Sequence, residues 1–467
     1  MEISAFDRGF LTGAARYARI GSGAVGGKAA GLLSAAAAVD ERCSSGPLPV
    51  AVPRFAVIAT DAFDRFVADP KLAEAFDGTL PDDRIAHAFC RAELPARLVG
   101  DLRSIADSVR TPLAVRSSSV LEDAIYRPFA GVYNTVMLPN NQPDPDERYR
   151  RLVDAVKLVW ASTYFADARA YRAALPKDPG PEKMAVVIQE VVGRRAGDRF
   201  YPVISAVARS VDYYPAGGGR PEDGVVELAL GLGKAIVDGE AGWRFCPARP
   251  KAPPPFNGVA DLMKSTQTRF FAVNMAAGMR PDPLDEEGFL VAPGLEEAEY
   301  DNTLPLVAST YDAASDRVVP GTGRSGPRIV DFAPILVLGT QPLAARVREL
   351  LDVGAEVVGG PVEIELAVDI DRLGREPARI GFLQLRPMVV AGGDVQVDER
   401  DLADDRAIVA SRRALGNARR ADVRDVVFVD PRSFTPRDTP AAARELERLN
   451  ARLRSEERRV GKECATG

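Results

Sequence analysis

Two neighbouring stretches near residue 370 carry acids, an amide and a guanidinium at two-residue spacing. In "PVEIELAVDI" (361–370), Val362, Ile364, Leu366, Val368 and Ile370 alternate with Glu363, Glu365 and Asp369. Side chains on a strand alternate faces, so the apolar set lines one face and the carboxylates the other. Two explanations are open: a half-solvated edge strand, or a carboxylate row that holds a hard cation such as Mg2+. The next apolar stretch, "IGFLQLRP" (380–387), places Gln384 and Arg386 on one face. A hairpin across "DRLGREPA" brings that face beside Glu363 and Glu365. Such a set on one sheet face suits a metal–polyphosphate site.

Two more segments carry phosphate-binding residue types. "GSGAVGGKAAGLL" (21–33) runs from glycines through Lys28 into an Ala/Leu helix. It is not a P-loop, because Ser22 stands at the first glycine position and Ala29 at the Ser/Thr position. Glycines still let backbone N–H groups approach an anion, and a helix start favours negative charge. The alternative is a flexible turn before a surface helix. In "VRSSSVLED" (115–123), Arg116 ends an apolar strand, and Ser119 and Glu122 have capping-box spacing. That predicts a helix start beside Arg116 and several hydroxyls; an exposed turn arginine is the plainer reading.

The elements that must hold these residues alternate between strand and helix, so the fold class is α/β or α+β. "FAVIAT" (55–60) reads as a buried strand, followed by a helix capped near Thr60 or Asp61. Residues 147–175 have helical apolar spacing over one long helix or two. Strands are expected at 184–192, 201–211 and 224–233, and loops at 214–224 and 247–257. No internal repeat is visible.

Composition narrows the function. The chain has 467 residues, 46% apolar and 27% charged, enough for two to four domains with large cores. A net charge of −6 gives no basic field for nucleic acid. Four cysteines without C-x-x-C spacing point to a reducing cytoplasm rather than a zinc site or a disulfide framework. No signal peptide or membrane-spanning run is apparent. His87 is the single histidine, which excludes a histidine metal cluster, and no nucleophile elbow accompanies it.

Seven segments occur in a telling order: "VGGKAAGL", "VPRFAVIAT", "VRSSSVLEDA…FAGVYNT", "VWASTYFADARAYR", "VVIQEVV", "LGLGKAIVDGE" and "VEIELAVD…GFLQLRPM". Over residues 18–392 the chain resembles the ATP-grasp-type nucleotide-binding domain of the phosphoenolpyruvate synthase and pyruvate phosphate dikinase family, also called the PEP/pyruvate-binding domain. The resemblance implies a two-subdomain nucleotide-binding fold, 18–200 and 201–392, with a lead-in at 1–17. It implies ATP and Mg2+ as ligands. Lys28, Arg116 and Arg386 are then catalytic phosphate-binding residues, Glu363, Glu365 and Gln384 bind nucleotide, and Glu365 and Gln384 hold metal. Glu363 stands where the family usually has aspartate, and Lys234 where the synthases usually have glutamate. The role implied is a cytoplasmic ATP-dependent phosphotransferase acting on pyruvate, phosphoenolpyruvate or another acceptor such as a glucan or an antibiotic. A non-catalytic ATP-binding regulatory module is the alternative. The family's phosphohistidine domain has no counterpart here, since His87 lacks a T-x-H-A-type context. That domain is expected in cis in a longer protein or in trans.

After residue 392 a small extension, 393–453, reads as the start of a further domain. A strand is expected at 426–429 and a helix from Thr439–Pro440, with Leu446, Leu449 and Leu453 as its apolar stripe. "RSEERRVGKEC" (454–464) has no apolar periodicity and resembles a translated sequencing-library adapter. An artefactual or disordered tail, 454–467, is expected there.

Overall fold

A computed structural model describes residues 3–7, 15–76, 78–119, 132–173, 182–215, 218–256, 258–279, 281–282, 284–371 and 373–388. It further describes 400, 403, 406–410, 423, 425–430, 433–435 and 438–456. The chain divides into two compact units: 1–392 with 398–417, and 393–397 with 418–467.

The first unit is mixed α/β. One six-stranded sheet has the order Ser4–Ala5, Tyr17–Ile20, Phe55–Ile58, Met184–Glu190, Leu113–Ser119, Thr135–Leu138. A second has the order Trp243–Phe245, Val225–Ala229, Ile204–Arg209, Val362–Asp369, Arg379–Pro387, Val50–Ala51. Smaller sheets of four and three strands complete it. Alternation sorts the first sheet's residues between two cores. Val186 and Ile188 join Phe63, Phe89 and Trp160 on the helix-covered face, whereas Ala185 and Val187 join the core of the second sheet. Arg116 pairs opposite Val187, so it lies on the face turned toward the second sheet.

The helix Gly26–Arg42 runs between the two sheets. Gly26 has φ +74°, and a Cβ there would overlap the Ser118 carbonyl oxygen; a Cβ at Gly31 would overlap that of Leu385. Two glycines five residues apart thus let one helix touch a strand of each sheet. A hydroxyl completes its first turn: Ser118 Oγ accepts from Ala29 N (3.1 Å) and donates to the Val25 carbonyl (2.9 Å).

The region 147–175 forms two helices, Pro145–Ser162 and Ala166–Ala173. Pro145 opens the first, behind Asp144, whose carboxylate accepts from Asp146 N. Tyr164, in the break, packs against Phe63, Phe76 and Phe89. His87 is exposed on helix Asp82–Arg91.

Three expectations change. The Val362–Asp369 strand is not at an edge; it is paired on both sides, and Glu363 and Asp369 are buried. Arg116 does not end its strand, which runs on to Ser119 because cross-strand pairing to Met184 continues that far. In the second unit, residues 426–429 form no strand: four exposed apolar residues lack a partner strand among the described residues. The helix Thr439–Glu456 forms as expected, with Leu446 exposed and Leu449 half-buried. The side chain of Leu453 and residues 457–467 lie outside the described residues, as do Glu122 and all of "VLEDA…FAG" (120–131).

Candidate functional site

The hairpin Val362–Asp369/Arg379–Pro387 pairs Glu363 with Arg386 and Glu365 with Gln384. The register shifts after Glu365, and Leu366 pairs with Phe382, so Leu383 is left over as a bulge. Arg116 arrives from the other sheet and reads this irregularity. Its Nη1 donates to the freed Leu383 carbonyl (2.9 Å), and its Nη2 donates to Glu365 Oε2 (2.9 Å) and Gln384 Oε1 (2.7 Å). Arg116 and Glu365 side chains are 13% and 27% exposed, so the pair faces accessible space while being partly shielded from it.

One rung along, Glu363 is held from both sides. Arg386 Nε donates to Oε1 at 2.7 Å, and Arg209 Nε donates to Oε2 at 2.5 Å. Arg209 also reaches Glu227 at 3.3 Å. Lys28 is buried on the helix between the sheets, and its Nζ donates to Ser117 Oγ (3.0 Å), next to Arg116 in the chain. The structure therefore brings Arg116, Glu365 and Gln384 into direct contact, sets Glu363 and Arg386 in the adjoining rung, and ties Lys28 to the residue beside Arg116.

The glycine loop behaves differently from the sequence expectation. The N–H groups of Ser22 and Gly23 donate to Asp61 Oδ1 (3.0 and 2.9 Å), and that of Ala24 to Thr60 Oγ1 (3.0 Å). The anion bound by these N–H groups is the protein's own. Burial would raise the Asp61 carboxyl, but the Gly23 and Ser22 N–H groups and the Arg65 cation together hold it below its ordinary value. Lys28, the cation of this segment, is engaged apart from this loop, with Ser117. The capping box expected between Ser119 and Glu122 lies outside the described residues. Ser119 donates to the buried Glu182 carboxylate, and its neighbour Ser118 serves the start of the helix at Gly26.

Several site residues escaped the sequence reading. Gln189 accepts weakly from Arg116 (3.5 Å), and its buried Nε2 has no partner among the described residues. Arg209 carried a faint signal, a charge at the end of an otherwise apolar strand. Glu286 accepts from Thr135 N, and Thr135 pairs opposite Arg116. Burial raises the Glu286 carboxyl, with Thr135 N–H and Lys234 opposing. Lys234 is itself held by Glu287 (2.6 Å) and Asp238 (2.8 Å), over the Phe271 ring.

Oxygen donors suit Mg2+, which takes one or two carboxylates and fills its remaining positions with water and phosphate oxygens. Glu365, Glu363 and the Gln384 amide fit that requirement. Among the described residues no group of three or more His, Cys, Asp and Glu side chains forms a metal cage. A cavity of about 430 Å³ opens elsewhere, lined by Asp144, Glu147, Asp154, Asp282 and Asp285 beside Arg150 and Arg151. It contains none of Lys28, Arg116, Glu363, Glu365, Gln384 and Arg386, and its carboxylates would repel a polyphosphate. Among the described residues, no helix is long and apolar enough to cross a membrane.

The family profile described as "Pyruvate phosphate dikinase, AMP/ATP-binding domain" matches residues 22–406. A phosphoenolpyruvate synthase of Aeropyrum pernix is 29% identical over 240 residues, covering 46% of this chain and 26% of that protein. A rifampicin phosphotransferase of Streptomyces sviceus is 32% identical over 205 residues, covering 41% of this chain and 22% of that protein. The matches therefore span about a quarter of each relative's length.

Proposed function

Because the chain belongs to the family of pyruvate phosphate dikinase AMP/ATP-binding domains, we propose that it binds ATP with Mg2+ and donates a phosphoryl group from it. Lys28, Arg116 and Arg386 neutralise the polyphosphate; Glu365 and Gln384, with Glu363 beside them, hold the cation. Mg2+, when bound, supplies positive charge at the phosphate oxygens. The observation that carries this reading is the convergence of Arg116, from one sheet, on Glu365 and Gln384 of the other.

Phosphoryl transfer needs little covalent chemistry from the protein, mainly positioning and electrostatic stabilisation. Guanidiniums rigidly placed on paired strands serve that need, because their donors need not reorganise as charge moves. The relatives' names, a phosphoenolpyruvate synthase and a rifampicin phosphotransferase, support pyruvate or an antibiotic as the acceptor. In this reading a phosphohistidine domain, in cis in a longer protein or in trans, carries the group onward, since His87 is exposed on a scaffold helix.

Titration calorimetry with ATP and Mg2+ tests the binding, and AMP or ADP release in the presence of each acceptor tests the transfer. Absence of nucleotide binding would refute the proposal. Binding without turnover on any acceptor, with a phosphohistidine domain supplied, would favour the regulatory module instead.

A further inference from the structure

The two rungs of the site are closed on themselves by charge. Arg209, Glu363 and Arg386 stand in direct register on three adjacent strands. Each oxygen of Glu363 is taken by a different guanidinium, Oε1 by Arg386 and Oε2 by Arg209. In the next rung Glu365 is taken by Arg116, and Arg209 extends the ladder to Glu227. The ladder holds three guanidiniums, Arg116, Arg209 and Arg386, and three carboxylates, Glu227, Glu363 and Glu365.

We infer that Arg209 is a positioning residue that keeps Glu363 paired in the resting site, so that a divalent cation and a polyphosphate enter as exchange partners. The inference rests on the nucleotide reading for the identity of the polyphosphate. A cation alone has to pull Glu363 from two guanidiniums, leaving Arg386 without its carboxylate and Arg209 with Glu227 alone. A polyphosphate alone has to pull Arg386 away and leave a carboxylate 8% exposed with half its partners. Breaking one side of a shielded ion pair is costly because the other side stays desolvated. When both ligands enter, each guanidinium exchanges a carboxylate for a phosphate and each carboxylate exchanges a guanidinium for the cation. Each ligand therefore raises the other's affinity, and by linkage the effect is reciprocal.

The probe is Mn2+ alone, followed by electron paramagnetic resonance on the full chain without nucleotide. Wild type should bind it weakly. Arg209→Gln should bind it at least about tenfold tighter, since one nearby counter-charge has been removed. Adding Glu363→Gln to that variant should cancel the gain. Circular dichroism checks the fold; if Arg209→Gln does not fold, Arg209→Lys replaces it. Arg209→Lys keeps the charge but loses the fork, and should gain at least about threefold. No gain in the folded variant, or a gain that survives Glu363→Gln, overturns the inference. Calorimetry of wild type with ATP and Mg2+ separates the two claims. A Mn2+ gain without ATP binding leaves the ladder standing and removes the nucleotide reading; ATP binding without a Mn2+ gain does the reverse.

Discussion

Arg116 Nη2 lies 2.9 Å from Glu365 Oε2, although 249 residues separate the two in the chain. The contact joins two sheets, and the same guanidinium holds the bulge carbonyl of Leu383 and the amide of Gln384. Arg116→Ala should therefore act twice. It should lower ATP·Mg2+ affinity about ten- to a hundredfold, the effect of one charge-assisted contact worth roughly 1.5–3 kcal/mol. It should also destabilise the free protein, because Glu365 and Gln384 lose their donor. Calorimetry and urea unfolding read the two effects separately. Unchanged affinity would exclude Arg116 from nucleotide binding.

Lys28→Met keeps most of the buried stem of Lys28 and removes the ammonium that donates to Ser117. Nucleotide affinity should again fall about ten- to a hundredfold. A thermal melt should show a smaller stability change than Lys28→Ala, which also empties packed volume. Equal ATP affinity in wild type and Lys28→Met would remove the lysine from the phosphate site.

Gly26→Ala should cost at least about 2 kcal/mol. The residue sits at φ +74°, and the new Cβ meets the Ser118 backbone, which cannot rotate away. Gly100 is the control: it lies inside helix Ala96–Ser108 with open space around its Cβ position. Gly100→Ala should stabilise by up to about 1 kcal/mol. Chemical denaturation of both variants measures the contrast, and a neutral Gly26→Ala would contradict the close approach.

The Asp61 contact predicts a pH dependence. The carboxyl is held below its ordinary value of 3.8, so the ionised form is the one the fold prefers. Its stabilisation is fully present above that ordinary value and is lost as pH falls through the lower folded value. The amide protons of Ser22 and Gly23 should shift on acidification with a midpoint below 3.8, as NMR would record. Asp61→Asn should abolish that titration. A midpoint above 3.8 would show that the backbone donors do not stabilise the carboxylate.

Much of the fold was legible locally. Period-two alternation marked the strands that carry Glu363 and Gln384, and the short polar link between them marked the hairpin. Helical spacing, together with Pro145 behind Asp144, accounts for the helix Pro145–Ser162. These are signals between near neighbours in the chain, which backbone geometry alone enforces. The residue types of the site were legible for the same reason: Lys28, Arg116, Glu365, Gln384 and Arg386 are charged or polar groups at positions that the local pattern sets apart.

Only the tertiary structure decided what those groups touch. Alternation places Glu363 on a face, but pairing on both sides of its strand decides that the face is shielded and that Arg209 and Arg386 clamp it. The glycines at 21 and 23 permitted an anion near the loop; the packing of helix Thr60–Val67 decided that this anion is Asp61. Nothing local to Ser118 shows that its hydroxyl completes the start of a helix some 90 residues earlier. Residues 426–429 have the composition of a strand and lack a partner among the described residues, since a strand exists only where a neighbour supplies the other half of its hydrogen bonds. Periodicity is a property of a segment, whereas a charge pair, a cap or a ladder needs two segments brought together, and that meeting is set by how the sheets and the helix between them pack.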